Sequence, residues 1–80
     1  MIAIGYVREV LRENARRLFQ RDGMTQSEWA EKIGVAEGTV SRLLNAGRFG
    51  MDALGDVAKR LDVPLAEFFR EEKRKGRKNA

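Results

Sequence analysis

Eighty residues, of which 42% are hydrophobic, suffice for one small domain with a single core. The chain contains no cysteine and no histidine, which excludes disulfides, thiolate metal sites and histidine-based catalysis. The net charge is +4, and all of this excess lies in the segment from Arg70 to Ala80, where six side chains are basic and two are acidic.

The basic C-terminal segment favours a polyanionic partner such as nucleic acid or an anionic membrane, or else it is a solubilising end. No apolar stretch approaches the roughly 20 residues that span a bilayer, and the N-terminal MIAIGYVREV does not have the form of a signal peptide. We therefore expect a cytoplasmic protein without a membrane partner. We further expect one domain over residues 1–70 and a basic, disordered tail over residues 71–80.

Apolar residues at helical spacing predict a first helix from about Tyr6 to Arg21. Its predicted core-facing stripe consists of Val7, Leu11, Ala15 and Leu18, widened by Val10 and Phe19. The opposite face is rich in arginine and holds Arg8, Arg12, Glu13, Arg16, Arg17 and Gln20. We interpret this face as a solvated surface with intrahelical ion pairs, in which Arg16 or Arg17 is a candidate for a phosphate contact.

A capping box predicts the start of the second helix, because Thr25 is followed three residues later by Glu28. Gly34 should end this helix, and a third helix is expected from about Glu37 to Asn45. The predicted buried side of the two helices consists of Trp29, Ala30, Ile33, Val40, Leu43 and Leu44. The helical phase of Trp29 favours a core role over base stacking.

A fourth helix is expected over about Met51 to Leu61, and Pro64 suits the first turn of a fifth helix. The predicted buried residues of the fourth helix are Leu54, Val57, Ala58 and Leu61. Phe68 and Phe69 are adjacent, so they cannot both face one core, and one of them is free to contact a second copy of the chain. The candidates for a dimer interface are Leu65, Phe68 and Phe69.

The residues between the second and third helices meet the mechanical requirement of a helix-turn-helix. Ala30 is small where two helices must approach, Gly34 suits the turn, and Val40 and Leu43 hold the following helix in place. The chain resembles the phage repressor and Cro helix-turn-helix family over about residues 8–69. The segments that carry the resemblance are MTQSEWAEKIGVAEGTVSRLLNAGR and LGDVAKRLDVPLAEFF. The resemblance implies an all-α, five-helix, lambda-repressor-like DNA-binding domain with the helix-turn-helix at helices 2 and 3.

The same resemblance implies binding to double-stranded operator DNA, commonly as a homodimer on a palindrome, and transcriptional control. The base-contact candidates on the third helix are Glu37, Gly38, Thr39, Ser41 and Arg42. The phosphate-contact candidates are Gln26, Asn45, Arg48 and Arg17. Arg42 can form a bidentate pair with guanine and Glu37 can accept from cytosine N4, although the two could instead pair with each other. No enzymatic activity, cofactor or metal is expected.

The chain departs from the family at Phe19 and Leu44, where many relatives carry an Arg and a Glu that form a largely buried ion pair. Replacing both partners of such a pair with hydrophobic residues is often neutral or stabilising. We therefore predict that Phe19 and Leu44 touch in the core. A second departure is the connection after Asn45, which is shorter by a residue and carries its glycine at position 47.

Two other functions are compatible with the same fold. The protein could be the antitoxin of a toxin–antitoxin pair, which binds both operator DNA and a toxin. It could also be an adaptor that binds proteins and has lost DNA binding, an interpretation supported by the neutral body of the chain and by the acidic Glu37.

Overall fold

A computed structural model describes residues 4–71, which form four α-helices and one 3-10 helix. The elements in chain order are α1 (Ile4–Asp22), α2 (Gln26–Ile33), α3 (Glu37–Ala46), α4 (Met51–Leu61) and the 3-10 helix (Leu65–Phe69). No helix among these residues combines the length and the apolar content needed to cross a membrane. The predicted disordered tail, from its second residue onward, lies outside the described residues.

The core forms where α1 packs on α3 and the 3-10 helix, and where α2 packs on α3 and α4. Trp29 and Phe68 are its largest fully buried side chains. Its apolar members are Leu11, Ala15, Leu18, Trp29, Ala30, Ile33, Val40, Leu43, Leu44, Leu54, Val57, Ala58, Leu61 and Phe68. Every residue predicted to be buried in the second, third and fourth helices is therefore buried.

The two ends of the described chain differ from the sequence prediction. Val7 was expected in the core, but 37% of its surface is exposed. Val7 lines an open cavity with Phe49, Met51 and Phe69 instead of packing into the core, so that Leu11 is the first buried residue of α1. At the other end the fifth predicted helix is only a short 3-10 helix, which opens with a bond from Glu67 N to Pro64 O.

The boundaries of α2 follow from local chemistry as predicted. The Thr25 hydroxyl accepts a hydrogen bond from Glu28 N, and the Glu28 carboxylate accepts one from Thr25 N, which completes the capping box. Gly34 ends the helix in the left-handed conformation with φ of 76°. This turn directs the chain into α3, whose side chains then meet α2 in the core.

Phe19 and Leu44, which were predicted to touch in the core, both pack with core residues. Leu44 is 3% exposed, and Phe19 is half-buried and packs against the core. The Phe19 ring meets Trp29 edge to face, with ring centroids 5.2 Å apart. A direct contact between Phe19 and Leu44 stays a prediction.

Asn14 is a buried polar residue that joins α1 to the C-terminal part of the domain. Its side-chain amide donates to the backbone carbonyls of Val10, Phe68 and Arg70, at 3.0, 3.1 and 2.8 Å. Its oxygen accepts a hydrogen bond from Arg17 Nη2 at 3.0 Å. Asn14 is 3% exposed and its bond to the Phe68 carbonyl is buried, so that carbonyl has little access to water as a substitute donor.

The substitution Asn14→Ala is therefore expected to lower the free energy of unfolding by about 2 kcal/mol, because it leaves the buried Phe68 carbonyl without this donor and removes the link between α1 and the C-terminal part of the domain. Urea denaturation followed by the fluorescence of the single tryptophan, Trp29, measures this loss. Gln20→Ala removes an exposed amide from the same helix and should change the free energy by less than about 0.5 kcal/mol. Equal stabilities of the two variants would contradict this role of Asn14.

Asp22 at the end of α1 holds α2 against it. Its carboxylate accepts from Trp29 Nε1 at 2.9 Å, from Lys32 Nζ at 3.1 Å and from Arg21 Nη2 at 3.0 Å. Burial raises the pKa of Asp22, but the hydrogen bonds from Trp29, Lys32 and Arg21 outweigh it and hold the pKa below its ordinary value. The charged form of Asp22 thus stabilises the fold.

Because the pKa of Asp22 is lower in the folded than in the unfolded state, its stabilisation is present above the unfolded pKa and is lost as the pH falls through the folded one. We expect Asp22→Asn to cost about 1–2 kcal/mol at pH 7 and progressively less below about pH 4. Urea denaturation at pH 3, 5 and 7 measures the difference. Asp56→Asn, which removes an exposed carboxylate paired with Arg60, is the control and should leave stability nearly unchanged. A loss for Asp22→Asn that is the same at all three pH values would refute the expectation.

Candidate nucleic-acid interface

The exposed side of α3 carries the predicted base-contact residues. Its buried side consists of Val40, Leu43 and Leu44. On the other side Glu37, Gly38, Arg42 and Asn45 are exposed, and Thr39 and Ser41 are half-buried. The helix thus presents a continuous polar face to solvent while α1 and α2 hold its apolar side.

Arg42 lies back along α3 toward the N-terminal end of that helix. Its Nη2 donates to the Thr39 hydroxyl at 3.3 Å, and its Nη1 would lie 3.9 Å from a Cβ placed on Gly38. A methyl group at position 38 would thus be in ordinary van der Waals contact with the guanidinium. The alternative in which Glu37 pairs with Arg42 is not found among the ion pairs of residues 4–71.

The N-terminal end of α3 has no side-chain cap, since Ala36 occupies the N-cap position. Glu37 follows in the first turn, where the partial positive charge of the helix end favours a carboxylate. This gives the acidic residue a structural reason to be there, in addition to any role in reading bases. Its carboxylate is exposed and available to a donor outside the chain.

The C-terminal end of α3 is joined to α1. Arg16 Nε donates to the Leu44 carbonyl at 2.6 Å, and Arg16 Nη2 donates to Asn45 Oδ1 at 3.3 Å. Asn45 Nδ2 donates in turn to Ser41 Oγ at 3.1 Å. A basic side chain from α1 thus lies next to a predicted phosphate contact.

A family model described as helix-turn-helix matches residues 16–68, about two thirds of the chain, from Arg16 in α1 to Phe68 in the 3-10 helix. The chain belongs to the phage repressor and Cro-like helix-turn-helix family. Comparison with curated proteins finds no match, and comparison with solved structures finds none either. The family is one of DNA-binding regulatory domains, and it identifies this chain as a DNA-binding transcription regulator.

One phosphate-contact candidate of this Cro-like protein, Arg17, has hydrogen-bond partners within its own chain. Arg17 forms a 3.1 Å ion pair with Glu67 and also donates to the Glu67 carbonyl and to Asn14 Oδ1. The Arg17 guanidinium thus holds the 3-10 helix against α1, and its contact with DNA stays a prediction. Helical phase gives the directions of Arg16 and Arg17 but not the elements that they meet, and it is Arg16 that lies beside α3.

Phe68 is likewise removed from the set of dimer-interface candidates. It is fully buried in the core of its own chain, whereas Leu65 is 43% exposed and Phe69 is half-buried. The adjacent pair thus divides between core and surface, with Phe68 as the core member. Leu65 and Phe69 remain available to a second copy.

The remaining phosphate-contact candidates lie on either side of the exposed face of α3. Gln26 is the first residue of α2 and is half-buried, next to the backbone N–H groups at the start of that helix. Arg48 is exposed after α3, and with Arg42 and Phe49 it borders an open groove that ends at the start of α4. The acidic side chains of residues 4–71 form no group able to hold a metal ion.

Proposed function

We propose that this protein is a sequence-specific regulator of the Cro type, a repressor that binds a palindromic operator as a homodimer. The observation that carries the proposal is the exposed polar face of α3, on which Glu37 and Arg42 are both free of each other and open to solvent. In the proposed complex this face enters the major groove, where base edges present donor and acceptor patterns that distinguish all four base pairs.

Phosphate contacts fix the register of α3 in this proposal. The start of α2 offers Gln26 and free backbone N–H groups to one phosphate, and Asn45 and Arg48 offer donors to others. Gln26 and Arg48 lie outside α3, and Asn45 lies at its C-terminal end, so phosphate contacts from these residues hold the protein on any duplex. Sequence preference then comes from α3.

Dimerisation in this proposal uses the exposed Leu65 and the half-buried Phe69 of the 3-10 helix. The two α3 helices of a dimer would lie about one turn of DNA, roughly 34 Å, apart. Sedimentation at increasing protein concentration tests this part alone. A monomer at all concentrations, with or without operator DNA, would exclude the dimer.

Selection of bound duplexes from a random pool is the experiment that tests the proposal as a whole. The expected result is a palindromic sequence whose half-sites are one helical turn apart. Affinity for the selected duplex should fall steeply with salt, because phosphate contacts release counterions. Failure to retain any duplex at low salt would reject DNA binding and favour the adaptor function.

The substitution Glu37→Gln tests whether the acidic end of α3 reads a base. If the carboxylate accepts from cytosine N4, Glu37→Gln should relax the preference at one base pair of each half-site by about 1–3 kcal/mol. Affinities for the selected operator and for duplexes altered at that position measure the change. Tighter binding to all duplexes alike would instead show that Glu37 only repels phosphates. Glu31→Gln, at an exposed position on α2, is the control for loss of one negative charge.

A further inference from the structure

A directed chain of hydrogen bonds runs from α1 to the exposed face of α3. It consists of Arg16, Asn45 and Ser41, which we call the relay. Arg16 Nη2 to Asn45 Oδ1 spans 3.3 Å, and Asn45 Nδ2 to Ser41 Oγ spans 3.1 Å. Two of its members, Asn45 and Ser41, are among the residues proposed to contact DNA.

The direction of the relay follows from the chemistry of its first member. A guanidinium can only donate hydrogen bonds, so the atom of Asn45 that faces Arg16 must be its oxygen. The amide nitrogen of Asn45 then faces Ser41, whose hydroxyl oxygen accepts. One N–H of Asn45 and the O–H of Ser41 remain unused by the relay, and both are donors.

Arg16 is held in place at two points. Its Nε donates to the Leu44 carbonyl at 2.6 Å while Nη2 meets Asn45. α3 has no basic residue in its own last turn, so Arg16 supplies the cation that the carbonyl end of a helix favours. A lysine could keep the charge there, but it lacks the planar fork that makes both bonds at once.

We propose that Arg16 is a positioning residue for DNA recognition, which fixes the Asn45 amide with its nitrogen available to DNA. The C-terminal half of α3 then presents the N–H of Asn45 and the O–H of Ser41 to acceptor atoms of the duplex such as phosphate oxygens, purine N7 and thymine O4. Glu37 at the opposite end of α3 presents an acceptor. This inference rests on the proposed function. Because an acceptor lies at one end of α3 and donors lie at the other, the helix favours one orientation in the groove.

The free protein tests the relay without DNA. In nuclear magnetic resonance spectra the side-chain amide signals of Asn45 should shift toward those of a solvated asparagine in Arg16→Lys. Ser41→Ala should shift them as well, because it removes the acceptor of the amide. Arg12→Lys, one turn earlier on α1, is the control and should leave them in place. Asn45 amide signals that are identical in wild type and Arg16→Lys would overturn the proposal.

The selected operator tests the role in binding. Arg16→Lys and Asn45→Ala should each weaken binding by about tenfold per half-site, the loss of one hydrogen bond to a charged group. The double variant should bind no more weakly than Asn45→Ala, because both changes remove the same contact. Melting curves establish that each variant is folded.

Two results would overturn the positioning role. Wild-type affinity in Arg16→Lys would mean that Arg16 acts only through its charge. A loss of about a hundredfold per half-site in the double variant would mean that the two residues act separately. A wild-type protein that binds no duplex refutes the proposed function instead, while the amide signals still decide whether the relay exists.

Discussion

Replacing Gly47 with alanine is expected to lower the free energy of unfolding by about 3–5 kcal/mol. Gly47 follows α3 in the left-handed conformation, with φ of 65°, and is buried. A Cβ at this position would overlap the backbone carbonyl of Arg8 in α1. Because that carbonyl belongs to a helix, it cannot move aside as a flexible side chain could. This loss is a large part of the free energy of unfolding of a typical domain, which is roughly 5–15 kcal/mol.

Two other glycines provide matched controls. Gly23 has φ of 64° and open space where a methyl group would be added, so Gly23→Ala should cost only the left-handed penalty of about 1–2 kcal/mol. Gly34 has φ of 76°, and its added methyl group would meet the end of the Arg60 side chain at 3.1 Å, which can shift. Urea denaturation followed by Trp29 fluorescence ranks the three variants. Equal losses for Gly47→Ala and Gly23→Ala would contradict the close packing of Gly47 on α1.

The expected effect of Gly47→Ala points to a role for α1 in holding the recognition helix. α1 contacts the end of α3 twice, through the backbone at Gly47 and through the Arg16 side chain at the Leu44 carbonyl. The chain ends α3 at Ala46, one residue beyond the predicted end, and the glycine follows directly. This accounts for the position of the glycine, one residue later than is common in the family.

Features governed by neighbouring residues could be predicted from the sequence. The capping box of Thr25 and Glu28, the turn at Gly34 and the buried sides of α2, α3 and α4 all depend on interactions within a few residues. For this reason the helix-turn-helix, and with it the exposed face of α3, was predictable in place and in phase.

Features that depend on distant residues could not be predicted in this way. Asn14 and Arg17 both lie on α1, yet their partners Phe68 and Glu67 are 54 and 50 residues away in the sequence. Periodicity gives the phase of a helix but not the element that it packs against, so Val7 was wrongly placed in the core. For the same reason periodicity could not predict the hydrogen bonds from Arg16 to Leu44 and Asn45, which depend on where α3 ends.

Arg42→Ala is expected to cause the largest loss of DNA binding of any single substitution on α3. A bidentate pair between arginine and guanine contributes about 1–3 kcal/mol of discrimination, and a dimer on a palindrome loses it in both half-sites. The combined loss is about 2–6 kcal/mol, or roughly 30-fold to more than 10⁴-fold in affinity. Arg42 is exposed, and within residues 4–71 its side chain makes one 3.3 Å hydrogen bond, to Thr39, so the fold should remain intact.

Arg42→Lys separates base reading from charge. Lysine keeps the positive charge but cannot reproduce the bidentate geometry, so Arg42→Lys should lose most of the preference for the selected base while retaining binding to unrelated duplexes. Lys59→Ala, at an exposed position on α4, controls for the loss of one positive charge.

The salt dependence of binding distinguishes the two roles that Arg42 could have. A phosphate contact would be lost equally from all sequences, and the slope of log affinity against log salt would decrease by about one per site. A base contact instead brings the affinity for the operator toward that for unrelated DNA and leaves the affinity for unrelated DNA largely unchanged. Uniform weakening in Arg42→Ala would therefore move Arg42 from the base-reading set to the phosphate-contact set. In that case Glu37, Thr39 and Ser41 would be left as the side chains of α3 that can read a base.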